Sequence, residues 1–366
     1  MSPDVIVVGG GVIGSAITYW LARDGARVNL YDRGDPAQAT RVSAGLLAPL
    51  SERHPQDVLG RLARESASLH PRLAAELRER TGIDAGYRAT GLLRLAITDE
   101  EERGLRAAAS EDGASGWLAR DRLLELEPAI GDEVRGATLS DESQISPAPL
   151  ARSLQRAAAE LGASVHQGTA VDALQIEGSR AIGVRVGSTK VPAGEVVLAT
   201  GAWTAAWEVQ LKTRLPLRPV RGQMVLLDSP LPAVRRILFT SEGYLALKAE
   251  GHVYVGATQE EAGFDARATL DGIAGLLALA RRIVPALSGA TVLATGAGLR
   301  PASADGLPLI GRLPGWTGIS VAAGHFRNGV LLAPITAELM SDLLAGRKPR
   351  LAVEAFDPAR FLVHAA

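Results

Sequence analysis

Asp4-Val-Ile-Val-Val-Gly9-Gly-Gly11-Val-Ile-Gly14, followed by Ser15 to Asp24, Gly25 and Ala26-Arg-Val-Asn-Leu-Tyr-Asp32, reads as strand, tight turn, helix, turn, strand. Val5 to Val8 is a short β-branched apolar run. Ala16, Ile17, Trp20 and Leu21 recur at helical spacing, and Gly25 is a fitting helix stop. Each glycine of Gly9-x-Gly11-x-x-Gly14 has its own task. The first permits the turn, the second lets the backbone approach a pyrophosphate, and the third allows the helix to pack closely on the strand. Phosphates then lie at a helix N-terminus, where unpaired N–H groups and the macrodipole favour negative charge. Asp32, eighteen residues after Gly14, ends the second strand where an acid can bind both hydroxyls of an adenosine ribose and repel a 2′-phosphate. The unit is read as a dinucleotide site.

Working outward, 366 residues suffice for a large core and two domains. The net charge of -1 provides no basic field, so neither nucleic acid nor an anionic membrane is an expected partner. The absence of cysteine removes disulfides, thiol nucleophiles, cysteine-held metals and a cysteinyl-linked flavin. Its six histidines show no metal-ligand spacing, so no metal site is expected. There is no phosphate-loop GxxxxGK[ST], no GxSxG elbow and no HExxH. The apolar stretch from Val5 to Ala22 lacks a basic leader and carries glycines mid-stretch. It is therefore read as strand, turn and helix rather than as a signal peptide or span, and a cytoplasmic protein is expected.

Small residues from Gly34 to Pro49 can lie along an extended cofactor, although an ordinary surface loop has the same composition. Helices are expected over Pro55–Arg80, with an apolar stripe of Leu59, Leu62, Leu69, Leu73 and Leu77, and from Pro147 towards Gly162 behind a Ser146 cap. Two short helices broken near Gly113–Gly116 are expected between Asp99 and Leu126, and another helix over Leu270–Leu287. Strands are expected at Gly91–Ile97, at Ala163–Val171 and from Glu195 to its end at Gly201, with a hairpin across Glu177–Arg180. That hairpin suits a flavin-type domain, because a classical NAD domain crosses over through helices. Four close strands over Pro219–Leu227, Arg236–Thr240, Tyr244–Leu247 and His252–Gly256 imply an antiparallel platform. Gly298-Leu-Arg300-Pro301 reads as an apolar turn, and Ile319–Ala323 leads through Gly324–Gly329 into a helix over Val330–Leu344. The fold class is thus α/β: a Rossmann-like FAD-type domain over 1–80, 141–215 and 296–366, with an inserted α+β substrate domain over 81–140 and 216–295.

Taken together, Val8–Gly14, Ser43–Ala48, Ala199–Trp203, Gly298–Pro301 and Gly324–Pro334 run in the order seen in the D-amino-acid-oxidase-like family of FAD amine oxidoreductases, and the chain most resembles its bacterial glycine oxidases of thiamine biosynthesis. The resemblance implies noncovalent FAD, held by Gly9, Gly11, Val12, Ile13 and Gly14 at the first turn and by Asp32 and Arg33 at the ribose. Thr40, Ala44, Gly45 and Leu46 would follow along the extended stretch, with Val171 near the adenine and Gly201 in the Ala-Thr-Gly turn. His325, Phe326, Arg327, Asn328, Gly329, Val330 and Leu331 would meet the isoalloxazine. It also implies a substrate carboxylate clamp of Arg300, Arg327 and Tyr244.

Physical chemistry supports the clamp, since a planar guanidinium takes a carboxylate bidentately. The ordinary alternatives are a structural ion pair for Arg300, a pair with Asp305 or a flavin contact for Arg327, and a core aromatic for Tyr244. The implied chemistry is hydride transfer from the substrate Cα to flavin N5. An imino acid then hydrolyses and oxygen is reduced to peroxide, so the protein supplies mainly positioning and electrostatics. Glycine, sarcosine, D-alanine and D-proline all remain open, since Glu242 and Gln259 depart from the resembling family near the substrate. Three other readings stand beside this one: a D-amino-acid dehydrogenase feeding a quinone or carrier, a pyridine-nucleotide dehydrogenase, and a noncatalytic nucleotide-binding subunit. A homotetramer or dimer is expected by resemblance.

Overall fold

The computed structural model describes residues 2–51, 57–112, 116–229, 234–248 and 250–361. Its first sheet has six strands in the spatial order Leu309–Arg312, Ile319–Ala323, Glu195–Leu198, Val5–Val8, Val28–Asp32 and Ser164–Gln167. All pair in parallel except the edge strand Leu309–Arg312. Val5–Val8 lies near the centre and is buried throughout. A strand covered on both faces must be apolar at every position rather than at alternate ones. Its alternation still decides which core each residue joins. Val5 and Val7 pack with the helices Val12–Arg23, Val58–Thr81, Pro147–Glu160 and Gly329–Leu344. Ile6 and Val8 face a three-stranded antiparallel sheet of Ala173–Glu177, Arg180–Val186 and Thr189–Pro192. The expected hairpin is therefore present, extended by a third strand.

Opposite stands an eight-stranded sheet in the order Thr291–Ser303, Leu217–Asp228, Val253–Gly256, Tyr244–Leu247, Ile237–Phe239, Leu92–Ala96, Gly136–Ser140 and Trp117–Ala119. It is antiparallel apart from the Ile237–Phe239 and Leu92–Ala96 pair. The helix Leu270–Ile283 contributes Leu276, Leu279 and Ile283 to the core against this sheet.

Several expectations change. Gly298–Pro301 is not a turn but the middle of the long strand Thr291–Ser303, with Arg300 opposite Val220 and Pro301 opposite Pro219. Proline suggested a turn, yet an edge strand needs no N–H on its open side, so proline is admissible there. The same strand runs unbroken through 295–296. The strand expected to reach Val171 ends at Gln167, with Gly168 in a left-handed turn at φ +68. The helix expected to reach Leu287 ends at Ile283, because Pro285 opens a separate 3₁₀ turn. Strands Trp117–Ala119 and Gly136–Ser140 were not anticipated.

Helix Val58–Thr81 starts behind Asp57, whose carboxylate accepts from the Gly60 N–H at 2.6 Å, and ends at Gly82 with φ +72. The earlier part of its expected start, Pro55 and Gln56, lies outside the described residues, as do residues 113–115 of the expected helix break.

Candidate active site

The carboxyl ends of the parallel strands open into a cavity of about 1030 Å³ that reaches across to the second sheet. This is where open α/β sheets bind ligands. Gly9, with φ +109, makes the turn. A Cβ at Gly9 would lie 2.4 Å from the Ala199 carbonyl oxygen, and one at Gly14 only 1.9 Å from that of Gly9. Gly14 is thus a helix-packing residue and does not line the cavity. At Gly11 the nearest obstacle to a Cβ is Thr40 Oγ1 at 3.2 Å.

The cavity wall brings together Gly9, Gly11, Val12, Ile13, Asp32, Arg33, Thr40, Ala44, Gly45, Leu46, Val171 and Gly201, together with His325 through Val330. Leu331 stands behind that wall, buried, with its carbonyl turned to Ser66 and His70. Tyr244, Arg300, Glu242 and Gln259 line the side formed by the second sheet. Asp32 accepts from Gln38 Nε2 at 2.7 Å, and Thr40 Oγ1 accepts from the Val12 N–H at 3.0 Å. Arg33 pairs with Asp35 at 2.6 Å, and its guanidinium sits 4.4 Å from the Trp203 ring centroid.

The extended stretch is stitched to the second sheet along its length. Leu299 N–H donates to the Ala37 carbonyl at 3.0 Å, the Tyr254 hydroxyl to that of Val42, and Lys248 Nζ to that of Ala44. Lys248 also donates to Gln144 Oε1 at 3.1 Å, and burial lowers its pKa to about 8.

Arg300 is the best-prepared group for an anion. Its Nη1 donates to the carbonyls of Thr258 at 3.0 Å and Arg221 at 3.4 Å. No carboxylate among the described residues forms an ion pair with it. Nearby carboxylates are otherwise engaged: Glu260 and Asp265 pair with the buried Arg221, and Glu242 pairs with Arg282. The guanidinium occupies the space that a side chain at residue 222 would need, since a Cβ on Gly222 would fall 2.2 Å from Nη2. Beside it, the ring of Tyr244 stacks on Phe239 and Tyr254, each with centroids 6.1 Å apart. Burial holds the Tyr254 hydroxyl protonated, well above its ordinary pKa.

Arg327 is exposed on the cavity wall. Asp305 pairs with Arg360 at 2.7 Å. Phe326 adopts φ +49, a strained backbone for a bulky residue, at the bend that delivers the next helix to the cavity. The buried His325 ring places Nε2 3.0 Å from Thr336 Oγ1, leaves Nδ1 without a partner, and is drawn by burial to a pKa of about 3.

Gln38, Trp203, Gly222, Tyr254 and Thr258 also belong to the wall, and sequence reasoning missed them. Tyr254 could have been found, since strand alternation puts it on the same face as Leu226 and Ala246 across the ladder.

FAD fits what is present. Two helices begin at the wall behind N-cap residues, Gly11 and Asn328, whose own side chains make no capping bond; Thr40 takes the Val12 N–H of the first helix, and the other first-turn N–H groups are placed for anionic oxygens. Asp32 supplies an acceptor for ribose hydroxyls, and Gly11 lines the cavity with backbone alone. Among the described residues no cluster of three or more His, Cys, Asp or Glu is placed to hold a metal.

The family model for FAD-dependent oxidoreductases, DAO, matches residues 4–343. The chain belongs to the DAO family of FAD-dependent oxidoreductases. Its cofactor is FAD. The glycine oxidase of Geobacillus kaustophilus is 37% identical over 98% of this chain and 96% of its own. A crystal structure of glycine oxidase from that organism superposes on this DAO-family fold with a TM-score of 0.92 at 35% identity, covering 98% of each chain. The bifunctional ThiO/ThiG protein of Trichormus variabilis is 33% identical over 99% of this chain, which spans 55% of that longer protein. Iminodiacetate oxidase from Chelativorans shares the fold at a TM-score of 0.87 and 28% identity, over 97% of this chain and 98% of its own.

Proposed function

We propose that this DAO-family enzyme oxidises glycine, or another small amino acid such as sarcosine, D-alanine or D-proline, with oxygen as final acceptor. The overall reaction consumes the amino acid, O₂ and water and yields the oxo acid, ammonia or an amine, and H₂O₂. Bound FAD supplies the two-electron acceptor. The chain supplies placement: Arg300 receives the substrate carboxylate through its free Nε and Nη2 edge, Tyr244 adds a hydroxyl, and Arg327 adds positive charge at the wall. Gly9, Gly11, Val12, Ile13, Asp32, Arg33, Thr40, Ala44 to Leu46, Val171, Gly201 and His325 to Val330 hold the cofactor. We divide the chain between these tasks as 1–80, 141–215 and 296–366 for FAD, and 81–140 and 216–295 for substrate.

The observation that carries this reading is Arg300, a guanidinium in the cavity wall with carbonyls to orient it and, among the described residues, no carboxylate paired with it. Similarity to glycine oxidases and to ThiO/ThiG supports a small amino acid and a role in thiazole formation for thiamine. A cytoplasmic homotetramer or homodimer completes the proposal. Among the described residues no helix is long and apolar enough to cross a membrane.

Oxygen uptake and peroxide formation with the four amino acids test the reading. Stoichiometric uptake and peroxide with one of them supports it. Turnover only with a quinone or dye acceptor overturns the oxidase assignment in favour of a dehydrogenase, and no turnover with any acceptor overturns the substrate class.

A further inference from the structure

The helix Gly329–Leu344 begins at the cavity wall and carries Pro334 in its second turn. Proline has no N–H, so the rung that would close on the Val330 carbonyl is missing. A side chain reaches the next rung. Ser66 Oγ donates to the Leu331 carbonyl at 2.6 Å and lies 3.4 Å from the Ile335 nitrogen, bridging both ends of that rung. His70 Nε2 meets the same Leu331 carbonyl at 3.1 Å. A carbonyl only accepts, so Nε2 carries the proton, while Nδ1 has no partner.

Ser66 and His70 lie four residues apart on one face of helix Val58–Thr81, and both are fully buried. The other buried residues of that helix are Leu59, Gly60, Leu62, Ala63, Leu73 and Leu77. Two polar side chains there carry a desolvation cost that leucine would not, unless their hydrogen bonds serve a purpose. Each bond lands on the first turn of the helix whose Gly329 and Val330 line the cavity.

We propose that Ser66 and His70 are positioning residues: they hold the Leu331 carbonyl, next to the rung that Pro334 leaves open, and thereby fix the helix end that faces the cofactor. This rests on FAD occupying the cavity. His70 touches neither substrate nor cofactor; it acts through the placement of the Gly329 and Val330 N–H groups, the positive end of a helix dipole.

The test uses holoenzyme carrying His70→Leu, His70→Gln or Ser66→Ala, with two readouts: the FAD dissociation constant from flavin fluorescence and the flavin reduction potential. His70→Leu should weaken FAD roughly tenfold, as expected for a lost buried hydrogen bond, and lower the potential. The amide of His70→Gln should restore most of both. Pro334→Ala supplies the missing N–H to the Val330 carbonyl, so His70→Leu should matter less in that background. Unchanged FAD affinity and potential in His70→Leu, with only a lower melting temperature, would reduce His70 to core packing and overturn the proposal. If His70→Leu fails to fold, Ser66→Ala and the double variant with Pro334→Ala decide by the same two readouts. Wild-type protein that binds no FAD would instead refute the occupancy of the cavity, a separate and visible failure.

Discussion

Replacing Gly222 by alanine should disable the anion site without removing its charge. An added Cβ would lie 2.2 to 2.3 Å from Nη2, Cζ and Nη1 of Arg300, far inside contact distance. The guanidinium must therefore move by about 1 Å or more, breaking the alignment set by the Thr258 carbonyl at 3.0 Å. The obstacle is the end of a flexible side chain, and Gly222 sits in a regular strand without a positive φ, so the fold itself should lose about 1 kcal/mol or less. A charge-assisted hydrogen bond contributes about 1.5–3 kcal/mol. Losing one of a bidentate pair should raise KM for the amino acid roughly 10- to 150-fold. Steady-state kinetics, with flavin content and melting temperature measured on the same preparation, provide the assay. A KM within twofold of wild type at full flavin content would refute the assignment of Arg300 to the substrate carboxylate.

Burial lowers the pKa of His70 to about 4 and of His325 to about 3, so between pH 6.5 and those values the unfolded chain binds protons that the native one refuses. Stability should be unaffected by these groups above pH 6.5 and should fall with pH below it, by about 3 kcal/mol for each histidine at pH 4. A melting temperature that is flat from pH 7 to 4.5 would contradict this, and His70→Gln should reduce the slope. Tyr254→Phe keeps the ring stack but leaves the Val42 carbonyl without its donor, at a cost of about 1–3 kcal/mol in a chemical-denaturation curve; an unchanged midpoint would sink that role. Asp32→Ala should weaken FAD roughly 10- to 100-fold by fluorescence titration, as expected for losing a charged acceptor of hydroxyl hydrogen bonds. Unaltered affinity would remove Asp32 from the cofactor site.

Local signals located the first layer of the fold well. A β-branched run, glycines at fixed offsets and an acid at the next strand end are short-range features: Val5–Val8 forms as read, while the helix starts at Val12 rather than Ser15 and the next strand at Val28 rather than Ala26. The second sheet was less legible. Gly298-Leu-Arg-Pro301 carries turn residues, yet pairing with Pro219–Gly222, more than seventy residues earlier in the chain, keeps it extended. Tertiary contacts of that range leave no mark on local propensity.

The same limit hides Gly222, whose importance comes from Arg300 lying across it, and His70, which sits on an apolar stripe and looks like any packing residue. Asp305 is a further case: its arginine is Arg360, 55 residues along the chain, a pairing that no local pattern marks. Leu331 was read as a cofactor contact because it continues the motif after Val330. Helical geometry turns it away from the cavity and gives its carbonyl to Ser66 and His70 instead.

The most direct measurement is an anaerobic absorbance titration of the FAD-loaded wild type with glycine, sarcosine, D-alanine and D-proline, repeated on Arg300→Met. Bleaching of the oxidised flavin band by at least one of them in the wild type, recovery on admitting air, and a requirement for far higher amino acid in Arg300→Met is the predicted result. A flavin band that none of the four bleaches, or that bleaches equally well in Arg300→Met, would contradict an amino acid oxidase built around this clamp.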